Sequence, residues 1–313
     1  MRSLAAATLL LLTACKGFGI GTFLGGDAAE PNYADDAEEN LKRGDDSLDS
    51  KNYVEAQKYF DYVKSKYPYL EAATTAELRL GDVDFEREKY IEARDRYVNF
   101  IKLHPTHPKL DYAAYRAALT HYKDMPSDFF VLPPSQEKDQ AEVRAASVAL
   151  ADFIRSYPQS EYVAAAQKSL DEVRRRLADH ELYVANFYKR RQKWNAVVSR
   201  LNVLARDFGG LGYEDKIYFG LHDAYLKLQA DSEQRAKEAR AELEKAKAGL
   251  EKAGDQATDA QRQRVVDLEK QIADAEEQGK RAEGKPEEVL QQLIARYPDS
   301  DAAKKAQGML QPK

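Results

Sequence analysis

One thiol, Cys15, and five imidazoles, His104, His107, His121, His180 and His222, are the side chains of this 313-residue chain best suited to act as nucleophile, metal ligand or proton carrier. The imidazoles are scattered. His104 and His107 bracket the proline turn HPTHP with no cysteine or carboxylate at ligand spacing, so this pair is expected to close a turn and to bind no metal. No HExxH, GxSxG, phosphate-loop or GxGxxG context occurs, and the carboxylates are spread along helical surfaces as solvated charge. Acid–base, nucleophilic and metal chemistry therefore lack a constellation, and the chain reads as a non-enzyme without cofactors. With 48 Lys and Arg against 53 Asp and Glu, the net charge of −5 offers no basic field for nucleic acid.

Chemistry of another kind is expected at Cys15. Residues 1–14 carry one cation, Arg2, then an apolar run from Leu4 to Leu12, and end Leu12-Thr13-Ala14 before the cysteine. That run is too short to span a bilayer and has the plan of a secretory signal. Its L-x-A-C ending matches bacterial lipoprotein signals, which makes Cys15 the acylated first residue of the mature chain. Each buried methylene contributes about 0.8 kcal/mol, so several acyl chains would hold firmly. The thiol is consumed by this reaction, leaving none for a disulfide. Lys16, with no aspartate beside it, favours the outer membrane by analogy with the enterobacterial sorting rule. Residues 15–33 are glycine-rich and aperiodic, and read as a lipidated flexible tether; no strand precedes these glycines and no Lys-Ser pair follows, against a phosphate loop.

The remaining residues specify elements. From Gly44, the residues Ala56, Phe60 and Pro68 lie at offsets of 12, 16 and 24; from Gly81, Ala93, Tyr97 and Pro105 lie at the same offsets. This is the tetratricopeptide register: small residues let paired helices approach, an aromatic ring fills the gap, and proline ends the second helix. Five segments close alike. Phe60, Val63, Lys64 and Tyr67 precede Pro68; Tyr97, Phe100, Ile101 and His104 precede Pro105; Leu150, Phe153, Ile154 and Tyr157 precede Pro158. Leu201, Leu204, Ala205 and Phe208 precede Gly209, and Leu290, Leu293, Ile294 and Tyr297 precede Pro298. Each set is i, i+3, i+4, i+7, one helical face.

The expected fold is all-α: a right-handed solenoid of five helix-pair repeats, with repeats one to four and the first helix of repeat five in residues 34–229. Proline-to-proline spacing grows from 37 to 53 residues at the third repeat, because residues 126–139, with adjacent Phe129 and Phe130, form a loop expected to fold back on the solenoid. A long helix over about residues 161–190 is followed by one opening at Trp194, and Gly209 is expected to stop the latter by its own route. Residues 230–285 are almost free of aromatics. Leu243 and Leu250 lie seven apart, and Val265, Leu268, Ile272 and Ala275 follow coiled-coil spacing. A break at Gly254-Asp255 and a capping box from Thr258 to Gln261 predict an inserted antiparallel hairpin of two helices of about 23 residues, each about 35 Å long. Residues 286–313 then supply the second helix of repeat five and a terminal helix.

Two tracts carry a family resemblance: FIKLHPTHPKLDYAAY, residues 100–115, and a stretch from Phe153 to Phe208 that includes FIRSYPQSEY and RLADHELYVANFYKRRQKWNAVVSRLNVLARDF. They resemble the BamD family, lipoproteins of the outer-membrane β-barrel assembly machine, and the likeness covers about residues 1–228 and 286–310. The resemblance implies a lipid-anchored adaptor on the periplasmic face of the outer membrane. Such an adaptor docks on the last POTRA domain of the barrel subunit BamA, works with other Bam lipoproteins and receives unfolded outer-membrane proteins. The family's docking arginine lies six residues after a tryptophan in W-x-A-V-V-x-R, which carries the role to Arg200, with Trp194 opening the motif. An arginine fork suits a carboxylate on a partner. By position, the substrate groove would draw on Tyr53, Arg79, Tyr112, Tyr115, Arg116 and Tyr122, with Lys102 where the family carries a basic residue. The insertion at 230–285 and Gly209 in place of proline depart from the family plan; the hairpin is expected to meet another complex member or the peptidoglycan side. The rival reading is a pilotin-type tetratricopeptide lipoprotein that assists secretin or pilus assembly, or another envelope scaffold; such proteins should lack the Trp194–Arg200 motif.

Overall fold

The computed structural model describes residues 31–126 and 133–311. The expected signal, Cys15, nearly all of the tether, and Phe129 and Phe130 lie outside them. Among the described residues the chain is all-α, with no strand. Its helices are α1 (Ala37–Asp49), α2 (Tyr53–Lys66), α3 (Glu71–Glu86), α4 (Tyr90–Leu103), α5 (Leu110–Lys123), α6 (Ala141–Ser156), α7 (Val163–Arg190), α8 (Trp194–Asp207), α9 (Glu214–Ala253), α10 (Asp259–Ala282), α11 (Lys285–Arg296) and α12 (Asp301–Leu310). They fall into two compact units, one ending at Phe100 and the other starting at Ile101.

In the first unit the glycine-to-aromatic offset is a direct contact. A Cβ at Gly44 would sit 2.5 Å from Cε1 of Phe60, and one at Gly81 would sit 2.8 Å from Cε1 of Tyr97. Ala56 and Ala93 are fully buried beside these rings, so the two helices of each pair approach where side chains are smallest. Leu41, Phe60, Val63, Leu80 and Val83 build the core around them. Buried Asp82 accepts hydrogen bonds from the Tyr97 hydroxyl at 2.6 Å and from Nη1 of Arg79 at 3.0 Å, so a polar group in the core is matched by donors.

Lys51, Glu88 and Gln192 have left-handed backbones, with φ of 61°, 60° and 56°. Each stands two residues before the second helix of a pair, and each turn makes the same two bonds. The left-handed residue's N–H donates three residues back (to Leu48, Phe85 and Lys189), and the next N–H donates five residues back (to Ser47, Asp84 and Tyr188). This shared turn marks α1–α2, α3–α4 and α7–α8 as copies of one unit.

The second unit packs Leu150, Phe153, Val173 and Leu177 between α5, α6 and α7, and Leu201, Leu204, Ile217, Leu221, Leu290 and Leu293 between α7, α8, α9 and α11. Tyr67, Tyr157, Phe208 and Tyr297 close α2, α6, α8 and α11 with φ of −125°, −128°, −128° and −136°, each N–H donating to the carbonyl four residues back. The separate stop expected at Gly209 is therefore corrected. Phe208 ends α8 as the tyrosines end the others, Gly210 takes the positive φ of 83°, and Gly209 leaves room for the Tyr297 hydroxyl, which a Cβ would meet at 2.8 Å.

Helix α9 runs 40 residues without a break, so the chain passes residue 230 inside one helix. Helix α10 opens on Thr258 with both halves of the capping box formed and packs along α9 through buried Ala239, Leu243 and Leu268, flanked by Val265 and Ile272. Ion pairs Arg240–Glu276, Arg264–Glu242 and Lys247–Glu269 bridge the two helices on their exposed sides. No described helix is long and apolar enough to cross a membrane.

Candidate partner-docking site

The residues carried from the family motif stand on α8. Trp194 is its first residue, half-buried against the α7–α9–α11 core. It helps wall a cavity of about 580 Å³ between α7, α8 and α9, together with Leu182, Val197, Leu201, Phe219 and Ala224. Lys189 and Asp223, also in that wall, are ion-paired at 2.9 Å. Asn186, Asp215 and Lys216 line it as well, so apolar and charged side chains share the walls of the recess.

Arg200 lies six residues further on and does not line the cavity. Its Nη1 donates to Oε2 of Glu181 on α7 at 3.1 Å. The Arg200 side chain is 41% exposed while that of Glu181 is only 11% exposed. A nearly buried carboxylate thus holds one edge of the guanidinium, and the rest of the fork stays in solvent, able to donate to a second carboxylate. Arg206 instead makes two bonds to its neighbour Asp207, at 2.7 and 2.8 Å, and these hold the Asp207 carboxyl below its ordinary range. Helix α10 reaches the start of α8: Nδ2 of Asn195 donates to Oε1 of Gln278 at 3.3 Å, and Nη2 of Arg235 donates to the same oxygen at 2.7 Å.

The expected groove residues divide between the two units. In the first, Tyr53 packs at the edge of the core and Arg79 is ion-paired with Asp45 and Asp82, both at 3.0 Å. In the second, Lys102 is exposed on the last turn of α4, and the Arg116 guanidinium lies over the Tyr112 ring at 5.8 Å. Tyr115 stacks on Tyr162 at 5.0 Å, and burial raises its hydroxyl above the ordinary range. Tyr122 donates to Glu172 at 2.7 Å; burial first, and that acceptor second, push its hydroxyl up to about 12. Tyr115 and Tyr122 thus spend much of their surface in packing.

Two of the imidazoles bond locally or between elements: Nδ1 of His107 accepts from the Lys109 N–H at 3.1 Å, and Nδ1 of His180 meets the Gln136 carbonyl at 2.7 Å. Among the described residues, no group of three His, Cys, Asp or Glu is placed to hold a metal ion. Sequence reasoning missed Glu181 and Gln278, for their partners lie 19 and 83 residues away in other helices.

The model of the YfiO family, described as an outer membrane lipoprotein, matches residues 33–243, which include both motif residues and the cavity. The chain belongs to the YfiO family. Among its relatives, the outer membrane protein assembly factor BamD of Caulobacter vibrioides is 28% identical over 192 residues, 61% of this chain and 60% of that protein. BamD of Neisseria gonorrhoeae is 29% identical over 204 residues, 64% of this chain and 74% of that one. The alignment thus spans less than two thirds of the Caulobacter relative's length. A solved TPR repeats protein from Bacteroides fragilis is similar at 13% identity and a TM-score of 0.40, covering 88% of this chain and 98% of that one, a likeness too loose to carry an argument.

Proposed function

We propose that this YfiO-family chain is an outer-membrane protein assembly factor that works by binding, without turnover chemistry. It is held by acylated Cys15 on the periplasmic face of the outer membrane and docks through the Trp194–Arg200 end of α8 on a POTRA domain of a BamA-like barrel subunit. Other Bam lipoproteins join it there, and unfolded outer-membrane proteins engage the aromatic and cationic side chains of the earlier helix pairs. An extended, aromatic-rich segment with a free carboxylate suits such aromatic slots beside a cation. The reading is carried by the family match over residues 33–243, inside which the motif arginine keeps a solvent-facing guanidinium edge.

The test is the affinity of the detergent-extracted lipoprotein for the barrel subunit's POTRA domains. Arg200→Glu should weaken it at least tenfold, about 1.4 kcal/mol. That variant also faces Glu181 with a second carboxylate, so Arg200→Gln with Glu181→Gln is the gentler companion and should lose affinity while keeping its thermal midpoint. Unchanged binding in both variants would remove Arg200 from the interface.

A further inference from the structure

Residues 182–206 carry six cations, Lys189, Arg190, Arg191, Lys193, Arg200 and Arg206, and no aspartate or glutamate, in a chain whose net charge is −5. Four of the six crowd into the turn from Lys189 to Lys193. The fold does not ask for them. The two turns with the same left-handed residue and the same hydrogen bonds read Asp49-Ser50-Lys51-Asn52 and Glu86-Arg87-Glu88-Lys89, with mixed charge. The α7–α8 turn alone among these three carries cations and no carboxylate, so its charge answers to something other than backbone geometry.

Arg190, Arg191, Gln192 and Lys193 are all exposed. Lys189 has Asp223 as its partner, and the Arg191 guanidinium lies 3.6 Å above the Phe187 ring, but among the described residues no carboxylate pairs with Arg190, Arg191 or Lys193. Like charges this close repel one another, and a complementary negative surface removes that repulsion while gaining contact energy of its own. The turn runs directly into Trp194, and both Lys189 and Trp194 wall the 580 Å³ cavity whose other sides include Leu182 and Phe219. Asp215, Lys216 and Asp223 share those walls, so the exposed cations adjoin a recess that is apolar only in part.

We propose that the Lys189–Lys193 turn and the α7–α8–α9 cavity form one interaction surface for a folded, acidic protein partner, whose carboxylates meet Arg190, Arg191 and Lys193 and whose apolar side chain enters the cavity beside Trp194. The recess favours a protein over a bilayer: a lipid surface is met by flat cationic ground with aromatic side chains projecting from it, whereas Trp194 here is half-buried in a wall. The inference rests on the docking reading above and adds the charge and shape that the barrel subunit's contact domain must present.

The experiment measures association of the full lipidated chain, extracted in detergent, with the POTRA-bearing barrel subunit at low and near-physiological salt. Wild type should lose about tenfold in affinity as salt rises from about 50 to about 200 mM. Arg190→Glu with Lys193→Glu, both exposed and leaving Gln192 in place, should bind about thirtyfold more weakly at low salt and respond little to added salt. Trp194→Ala should bind about tenfold more weakly at both salts, with the wild-type salt response. If the charge-reversed variant binds like wild type while Arg200→Glu does not bind, the docking reading stands and this inference falls. If wild type fails to bind the barrel subunit at all, both fall. If charge reversal leaves protein binding intact but abolishes co-sedimentation with phosphatidylglycerol-containing vesicles, the turn is a lipid contact and the inference is overturned.

Discussion

At the scale of single residues, the closest contacts decide. Gly44 faces a ring that is itself fully buried, so a methyl group at 2.5 Å from Phe60 leaves the ring nowhere to go. Gly44→Ala gains helix propensity of up to about 1 kcal/mol but forces overpacking of about 1–3 kcal/mol, for a net loss of about 1 kcal/mol in urea denaturation. Gly308→Ala, with nothing within 4 Å in α12, should gain stability instead. A stable Gly44→Ala would show that the register is not set by this contact. Tyrosines supply a pH test. Tyr122 on Glu172 and Tyr213 on Asp179 are both pushed up to about 12, by burial first and the carboxylate acceptor second. Between pH 10 and 12 the unfolded chain has given up these two protons and the folded chain keeps them, so the unfolded state binds fewer protons and stability falls with rising pH. That contribution is whole below pH 10 and lost as pH rises through about 12. The urea midpoint of wild type should drop more steeply across this window than that of Tyr122→Phe with Tyr213→Phe; parallel slopes would contradict the assignment.

At the scale of elements, the repeated turn makes its own prediction. Glu88 holds a left-handed backbone that a side chain disfavours, so Glu88→Gly should leave stability unchanged or raise it by up to about 1 kcal/mol, even though glycine loosens the unfolded chain. A loss larger than that in thermal denaturation would mean the Glu88 side chain matters more than its backbone. Local pattern made much of this legible in the sequence. The glycine-to-aromatic offset reported a contact, the ring before Pro68, Pro158 and Pro298 reported a helix end, and Thr258 with Gln261 reported a helix start. The unbroken α9 was harder to read, because the change in composition near residue 230 changes what the helix faces and not whether it continues; no glycine or proline stands between Gly220 and Gly249 to end it. At the candidate site, the motif points to Trp194 and Arg200, but the Glu181 contact and the Gln278 bridge join separate helices and leave no periodic trace.

At the scale of the whole molecule, the chain is built of helix pairs whose charge is nearly balanced, with a cationic turn beside a partly apolar recess. Such a build suits the proposed role of holding other polypeptides. The measurement that tests this most directly is to extract the tagged full chain from membranes in mild detergent and identify its stoichiometric companions. The account predicts a barrel subunit with periplasmic POTRA domains, lost from the Arg200→Glu variant. A secretin in its place, retained by that variant, would contradict it.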